Sequence, residues 1–401
     1  MKVKIYKSRA RGIFTAPPSK SIAHRQLICA ALAEGESEIK SIALSDDIKA
    51  TMDCLRVLGA KIEIKEATAK VQGISGKLPD DEFILNCRQC GSTLRFFVPL
   101  CMLSGKKAVL SGEPSLIARP MTVYEKICKE QNIVFEKTDT SIMVCGKIKG
   151  GSYEIPGNIS SQFVSGMMFA LPLLSVDSKI SLLPPVESKP YIDLTLSSLS
   201  DFGIDISQNG NEYNIRGNQK YKACDTSVEG DWSNAAFFEA LNLMGGEVKV
   251  CGLDENSLQG DRVYKELFKR LKAGENKIDI CNCPDLAPIL FVAAAYLNGA
   301  KFVGTKRLKI KESDRATAMK EELSKFNIQM QINENSVEVF KSNITPPTQM
   351  LFGHNDHRIV MALSVLLTVF GGEIEGAEAA AKSFPDFFER LQKLCVEVEY
   401  E

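Results

Sequence analysis

The sequence predicts an α/β protein built from six copies of one β-α-β-α-β-β unit, arranged as two domains of three units each. Three observations carry this expectation. A polar residue followed by about a dozen apolar or small residues recurs at 21–35, 92–105, 161–175, 231–246, 285–299 and 356–372. The leading residues Ser21, Ser92, Ser161, Asp231, Asp285 and Asp356 stand roughly 70 residues apart, with one shorter interval, and a fixed period of that kind marks a repeat architecture. Between these stretches, amphipathic and alternating segments return in the same order.

Each recurring stretch reads as a helix with Ser or Asp in a capping position and an apolar body nearly all round, as in Ile359-Val360-Met361-Ala362-Leu363. A helix without a polar face is buried. After it the pattern predicts a strand, an amphipathic helix and a hairpin. In the first unit the amphipathic helix spans 46–58 and the hairpin 61–71; in the third they span 192–202 and 204–215, the latter turning at Gln208-Asn209-Gly210-Asn211. The short interval falls in the fourth unit: after the helix at 263–271 a single strand at 277–280 precedes the next buried helix, so one hairpin is missing. Six units exceed one core, which predicts a first lobe over 20–228 and a second over 1–19 plus 229–401. The two strands of chain crossing between the lobes would form a hinge.

The composition, 401 residues with 44% hydrophobic and 25% charged, is that of an ordinary globular protein. A formal net charge of −1 gives no general attraction to nucleic acid or to a membrane surface. No apolar run is long enough to cross a bilayer, and the basic start Met1-Lys2-Val3-Lys4 is not followed by an apolar signal region. A cytoplasmic protein, monomeric and without nucleic-acid or membrane partners, is expected. Twelve cysteines in such a chain read as reduced thiols. Cys87-x-x-Cys90 and Cys281-x-Cys283 lack the histidines or second C-x-x-C of a zinc site, so no metal is expected.

Basic side chains and hydroxyls gather at the buried-helix starts: Lys20, Ser21 and Arg25; Arg95; Ser160, Ser161 and Gln162; His357 and Arg358. Cations there oppose the helix dipole by about 0.3–1 kcal/mol each unless an anion lies between, so such starts are anion sites. Further charged groups lie on loops at related points of the unit, at Arg119, Glu187-Ser188-Lys189, Lys311-Glu312-Ser313-Asp314-Arg315 and Lys382. There is no G-x-x-x-x-G-K-[ST] loop, no G-x-G-x-x-G fingerprint and no G-x-S-x-G elbow. Many cations, a few carboxylates and several hydroxyls suit small substrates carrying phosphate and carboxylate groups. Taken singly, Arg25 and Arg95 are also ordinary helix cations, Ser161 and Asp285 ordinary caps, and Glu312 a first-turn acid. His24 follows no ligand or triad spacing and reads as structural.

The motifs Pro18-Ser19-Lys20-Ser21-Ile22-Ala23-His24-Arg25, Gly91-Ser92-Thr93-Leu94-Arg95, Ala118-Arg119-Pro120-Met121, Ser160-Ser161-Gln162-Phe163, Ser188-Lys189-Pro190-Tyr191-Ile192-Asp193, Lys311-Glu312-Ser313-Asp314-Arg315, Asp356-His357-Arg358 and Ala381-Lys382-Ser383-Phe384-Pro385-Asp386 occur in one order. In this the chain resembles, over nearly its full length, the 3-phosphoshikimate 1-carboxyvinyltransferases of the enolpyruvyl transferase family. The resemblance implies a two-lobed inside-out α/β barrel with buried helices aimed at the cleft between lobes. It implies transfer of the enolpyruvyl group of phosphoenolpyruvate to the 5-hydroxyl of shikimate 3-phosphate by addition and elimination, releasing phosphate, without a cofactor.

Carried over motif by motif, Lys20, Ser21, Arg25, Ser160, Ser161, Gln162, Ser188, Asp285 and Lys311 would hold shikimate 3-phosphate, with Tyr191 close by. Lys20, Gly91, Arg119, Gln162, Arg315, Arg358 and Lys382 would hold phosphoenolpyruvate. Asp285, Glu312 and Lys20 would be catalytic. The same resemblance implies closure of the lobes on shikimate 3-phosphate and inhibition by glyphosate at the phosphoenolpyruvate site.

The chain departs from many relatives at Arg88-Gln89-Cys90, where Gly-Asn and a small residue are usual, and at Arg307, where some carry asparagine; Arg307 is given no binding role. Two other readings compete. UDP-N-acetylglucosamine enolpyruvyl transferases share fold and donor, but typically have Lys-Asn where this chain has Lys20-Ser21 and a cysteine in the loop that here holds Arg119. A non-catalytic anion-binding protein on the same scaffold predicts binding without phosphate release.

Overall fold

The computed structural model describes residues 1–401. The chain forms two compact units, Pro18–Glu229 and Met1–Pro17 together with Gly230–Glu401, each with one hydrophobic core.

The six apolar stretches form helices Lys20–Leu32, Gly91–Ser104, Ser161–Ala170, Trp232–Leu243, Ala287–Tyr296 and His357–Phe370, three in each unit. Their bodies are buried on every side. In the first, all residues from Ile22 to Leu32 are buried, and in the fifth all residues from Ala287 to Ala295 are. Burying one large aliphatic side chain stabilises by about 1.5–3 kcal/mol, so helices with no solvent face dominate each core. The amphipathic helices Asp46–Val57, Thr122–Gln131, Lys189–Asp201, Tyr264–Lys272, Arg315–Ser324 and Phe387–Lys393 bury only one stripe, such as Leu267, Phe268 and Leu271 in the fourth.

The sheets repeat one topology. In the second unit of the repeat, Phe83–Asn86 pairs parallel with Ala108–Ser111, which pairs antiparallel with Ser141–Cys145, itself antiparallel to Val134–Lys137. Four further sheets use the same strand order. The exception is the parallel pair of Arg11–Thr15 with Glu247–Cys251, which is the repeat whose hairpin is missing from the sequence.

Two repeats are completed by distant chain. The first strand of the first repeat is the two-residue Thr226–Ser227, parallel to Ile39-Lys40. In the sixth, Lys2–Ile5 lies between Gly372–Glu375 and Val398–Tyr400, antiparallel to both.

Capping differs in detail from the expectation. The N-caps of the first three buried helices are Ser19, Cys90 and Ser160, so Ser21, Ser92 and Ser161 lie within the first turn. Asp231 and Asp356 do cap, accepting from Asn234 N and Arg358 N. Asp285 does not. It sits in a 3-10 turn, Pro284–Leu286, that precedes the fifth buried helix and frees its carboxylate from capping.

Candidate active site

In the unit Pro18–Glu229, the starts of three buried helices are tied together by polar side chains. Arg25, one turn into the first helix and 3% exposed, donates to Thr195 Oγ1 at 2.8 Å, to the Ser21 carbonyl at 2.6 Å and to the Tyr191 carbonyl at 2.9 Å. Its guanidinium lies 5.3 Å from the centre of the Phe96 ring. Every one of these partners is neutral, and burial lowers the guanidinium to about 10. Thr195 is held in turn by Ser165 and by the Tyr191 carbonyl.

Arg95 donates to Gln162 Oε1 at 2.7 Å and stacks over Phe163, while Gln162 Nε2 donates to Ser92 Oγ at 3.0 Å. The second and third helix starts are thereby joined through Gln162. The Ser160 hydroxyl accepts from Gln162 N. Ser188, buried and in the left-handed region at φ 56°, opens the helix Lys189–Asp201. A non-glycine residue held there is uncommon and marks a constrained loop.

Gly91 begins the second helix where a Cβ would stand 2.5 Å from Arg119 Nη1 and displace the end of that side chain. The glycine lets Arg119 rest against the helix start. Lys20 differs from its neighbours in having a carboxylate partner, Asp47, at 2.7 Å.

In the unit formed by Met1–Pro17 and Gly230–Glu401, Arg315 is the hub. Its side chain, 1% exposed, donates through Nε to Asp356 Oδ2 at 2.8 Å, through Nη1 to Asp285 Oδ1 at 2.8 Å and through Nη2 to Glu312 Oε2 at 2.6 Å. Lys311 Nζ reaches Asp285 Oδ1 at 3.0 Å, and Arg358 Nη2 lies 3.8 Å from Asp285 Oδ2. Burial opposes ionisation of Asp285, but Lys311, Arg315 and Arg358 outweigh it and hold the carboxyl well below the usual range. Burial likewise works against the charge of Arg315, and Asp356, Glu312 and Asp285 overcome it.

Arg358 is the member of this set with unused donors. The residue is buried, its backbone N–H is capped by Asp356, and its Nε and Nη1 have no hydrogen-bond partner. A buried guanidinium with unused donors is costly unless an anion completes it. Lys382 is held by the carbonyl and the amide oxygen of Asn355, in the turn leading into Asp356. Arg307, given no role from sequence, donates to the Cys281 carbonyl at 2.6 Å.

The sequence-predicted residues therefore gather into two sets. Ser21, Arg25, Gly91, Arg119, Ser160, Ser161, Gln162 and Ser188, with Lys20, belong to one unit; Asp285, Lys311, Glu312, Arg315, Arg358 and Lys382 belong to the other. Sequence reasoning missed the supporting partners. Asp47 for Lys20, Thr195 for Arg25 and Asp356 for Arg315 lie 27, 170 and 41 residues away along the chain. Only Asp356 carried a signal, as the residue before His357-Arg358.

Comparison with known proteins places the chain in a family. A model of the family described as EPSP synthase (3-phosphoshikimate 1-carboxyvinyltransferase) matches residues 6–391. The 3-phosphoshikimate 1-carboxyvinyltransferase of Clostridium kluyveri is 38% identical over 99% of this chain and 98% of its own. That of Clostridium botulinum is 39% identical over 98% of this chain and 96% of its own. Among solved structures, the EPSP synthase from Acinetobacter baumannii has the same fold, with a TM-score of 0.79 over 100% of both chains at 23% identity. The chain belongs to the EPSP synthase family, the 3-phosphoshikimate 1-carboxyvinyltransferases.

Proposed function

We propose that both sets of side chains bind the substrate anions and that the second also supplies the carboxylates that move protons. Family membership gives the reaction: the enolpyruvyl group of phosphoenolpyruvate passes to the 5-hydroxyl of shikimate 3-phosphate, and phosphate is released. In this reading Ser21, Arg25, Ser160, Ser161, Gln162, Ser188 and Lys311 hold shikimate 3-phosphate. Gly91, Arg119, Gln162, Arg315, Arg358 and Lys382 hold phosphoenolpyruvate, and Lys20 serves both substrates.

The chemistry begins with a proton delivered to the methylene carbon of phosphoenolpyruvate, which leaves positive charge on the neighbouring carbon. The 5-hydroxyl attacks that carbon as it loses its own proton, giving a tetrahedral intermediate. Phosphate then leaves as a proton is withdrawn from the new methyl group. Glu312 acts as acid and then as base at the methyl carbon, and Asp285 accepts the hydroxyl proton. Lys20 and Lys382 stabilise the departing phosphate.

A carboxylate held far down its titration range by three cations is a weak base. Substrate anions offset that restraint: shikimate 3-phosphate beside Lys311, and phosphoenolpyruvate beside Arg315 and Arg358, spread the positive charge now focused on Asp285. Its pKa rises, and base strength appears when the substrates are present. The observation that supports this reading is Arg358, buried near Asp285 with two guanidinium nitrogens that have no hydrogen-bond partner. The enzyme works in this reading as a cytoplasmic monomer; no helix is long and apolar enough to cross a membrane.

The test is phosphate release with both substrates, compared with each alone, for the parent, Asp285→Asn and Glu312→Gln. Each variant keeps side-chain volume and loses proton transfer. Turnover should fall about 10²–10⁴-fold while shikimate 3-phosphate still binds. Turnover within about threefold of the parent, far below the usual worth of a general acid or base, would remove that residue from the mechanism.

A further inference from the structure

One cluster of ligating side chains lies beside the anion set and takes no part in the chemistry derived above. His24, on the first buried helix, is 1% exposed, and Cys90, the N-cap of the second, is equally buried. Asp47 lies in the first turn of the amphipathic helix of the first repeat, its side chain 13% exposed. His24 Nε2 faces Cys90 Sγ at 3.9 Å, and one donor atom from each of the three residues falls within 4.8 Å of the others.

The imidazole is prepared as a ligand. Its Nδ1 is 2.7 Å from Thr51 Oγ1, which is 2.7 Å from Thr93 Oγ1. With the proton on Nδ1, donated to Thr51, the Nε2 lone pair points toward Cys90. An outer hydrogen bond that fixes tautomer and ring plane is the usual support of a metal-bound histidine. Burial, with Lys20 and Arg25 nearby, keeps the ring neutral.

We propose that His24, Asp47 and Cys90 form a binding site for a soft or borderline divalent cation of the zinc class. One imidazole, one thiolate and one carboxylate make a three-ligand set that leaves a fourth tetrahedral position for water. Bonds of about 2.0–2.3 Å place donors roughly 3.3–3.8 Å apart, so the side chains contract by about 1 Å. Cys90 gives up its thiol proton to solvent as its sulfur bonds the metal; nothing is oxidised or reduced.

The same geometry makes the cation an inhibitor. Lys20 Nζ already sits 2.7 Å from Asp47 Oδ2, so a bound metal takes that carboxylate and repels the ammonium. This consequence, unlike the site itself, rests on the role assigned to Lys20.

The probe is cobalt(II), added to the full-length reduced protein and followed by absorbance. A thiolate-to-cobalt charge-transfer band in the near ultraviolet, displaced by zinc, is expected in the parent. It should vanish in Cys90→Ser, where serine can still accept from Thr93 N as the cysteine does now, and persist in Cys395→Ser, which removes the exposed thiol. No band in the parent, or an unchanged band in Cys90→Ser, overturns the proposal. Zinc should also suppress phosphate release in the parent, and Cys90→Ser should need at least about tenfold more metal, as expected when a ligand set is broken. Cobalt and zinc binding at Cys90 without loss of turnover would uphold the site and overturn the role of Lys20.

Discussion

Arg25 and Arg315, one in each unit, solve the problem of a buried cation in opposite ways. Around Arg25 the partners are a hydroxyl, two carbonyls and an aromatic face. Around Arg315 they are three carboxylates. Neutral partners orient a guanidinium and leave its charge uncancelled, ready for an incoming phosphate. Carboxylate partners cancel the charge and make every group in the set depend on the others. In the proposed mechanism the first arrangement serves anion binding, and the second also lowers the proton affinity of Asp285.

Removing one arginine from each set tests this contrast at the largest amplitude. Arg315→Met leaves Asp285, Glu312 and Asp356 without their shared cation in a buried setting, and should destabilise folding by about 3–5 kcal/mol. Urea unfolding read by circular dichroism measures it. Arg25→Met leaves only neutral acceptors and relieves a guanidinium that burial already disfavours. Its folding free energy should stay within about 1 kcal/mol of the parent. Affinity for shikimate 3-phosphate, read by calorimetry, should fall about 10–100-fold, the worth of a hydrogen bond to a charged group. Equal destabilisation by the two variants would erase the distinction.

Glycine contacts sharpen it at smaller amplitude. At Gly166 a Cβ would stand 2.6 Å from the Arg95 carbonyl and 2.4 Å from the Tyr124 hydroxyl, so the third buried helix cannot approach the second with any larger residue. Gly166→Ala should cost about 1–3 kcal/mol of stability. At Gly91 the obstructing atom is the mobile end of Arg119. Gly91→Ala should leave unfolding nearly unchanged, raise KM for phosphoenolpyruvate and weaken competitive inhibition by glyphosate. Steady-state kinetics at several donor concentrations would show whether donor and inhibitor shift together.

The smallest effect is expected from acid. The folded Asp285 carboxyl titrates below its unfolded value near 3.9. Its contribution to stability is therefore complete above about pH 4 and is lost as the pH falls through the folded value. The slope of unfolding free energy against pH below 4 should be shallower in Asp285→Asn than in the parent.

Much of the fold was legible because it rests on long apolar periodicities. Six helices without polar faces, the alternating hairpins and even the absent hairpin of the fourth repeat all leave marks in the chain. Thr226–Ser227 does not, since a two-residue strand has no period to read. The candidate side chains were legible because cations at helix starts need a reason. Their partners were not, because Thr195 is an ordinary hydroxyl inside a helix and Asp47 an ordinary first-turn acid until the fold sets them against Arg25 and Lys20. The Cys90 cap escaped for the same reason, a thiol standing where serine or aspartate is the usual signal.

The proposed mechanism depends most on Asp285 being a base restrained by its cations and released by substrate. Carbon-13 NMR of carboxyl-labelled aspartates, with the Asp285 signal assigned by its loss in Asp285→Asn, measures this in the intact protein. Without ligand the signal should still be that of an ionised carboxylate below the ordinary aspartate value of about 3.9. With shikimate 3-phosphate bound, the titration should move to higher pH as the ligand draws charge from Lys311. A titration that stays in place or moves lower on binding would contradict the account.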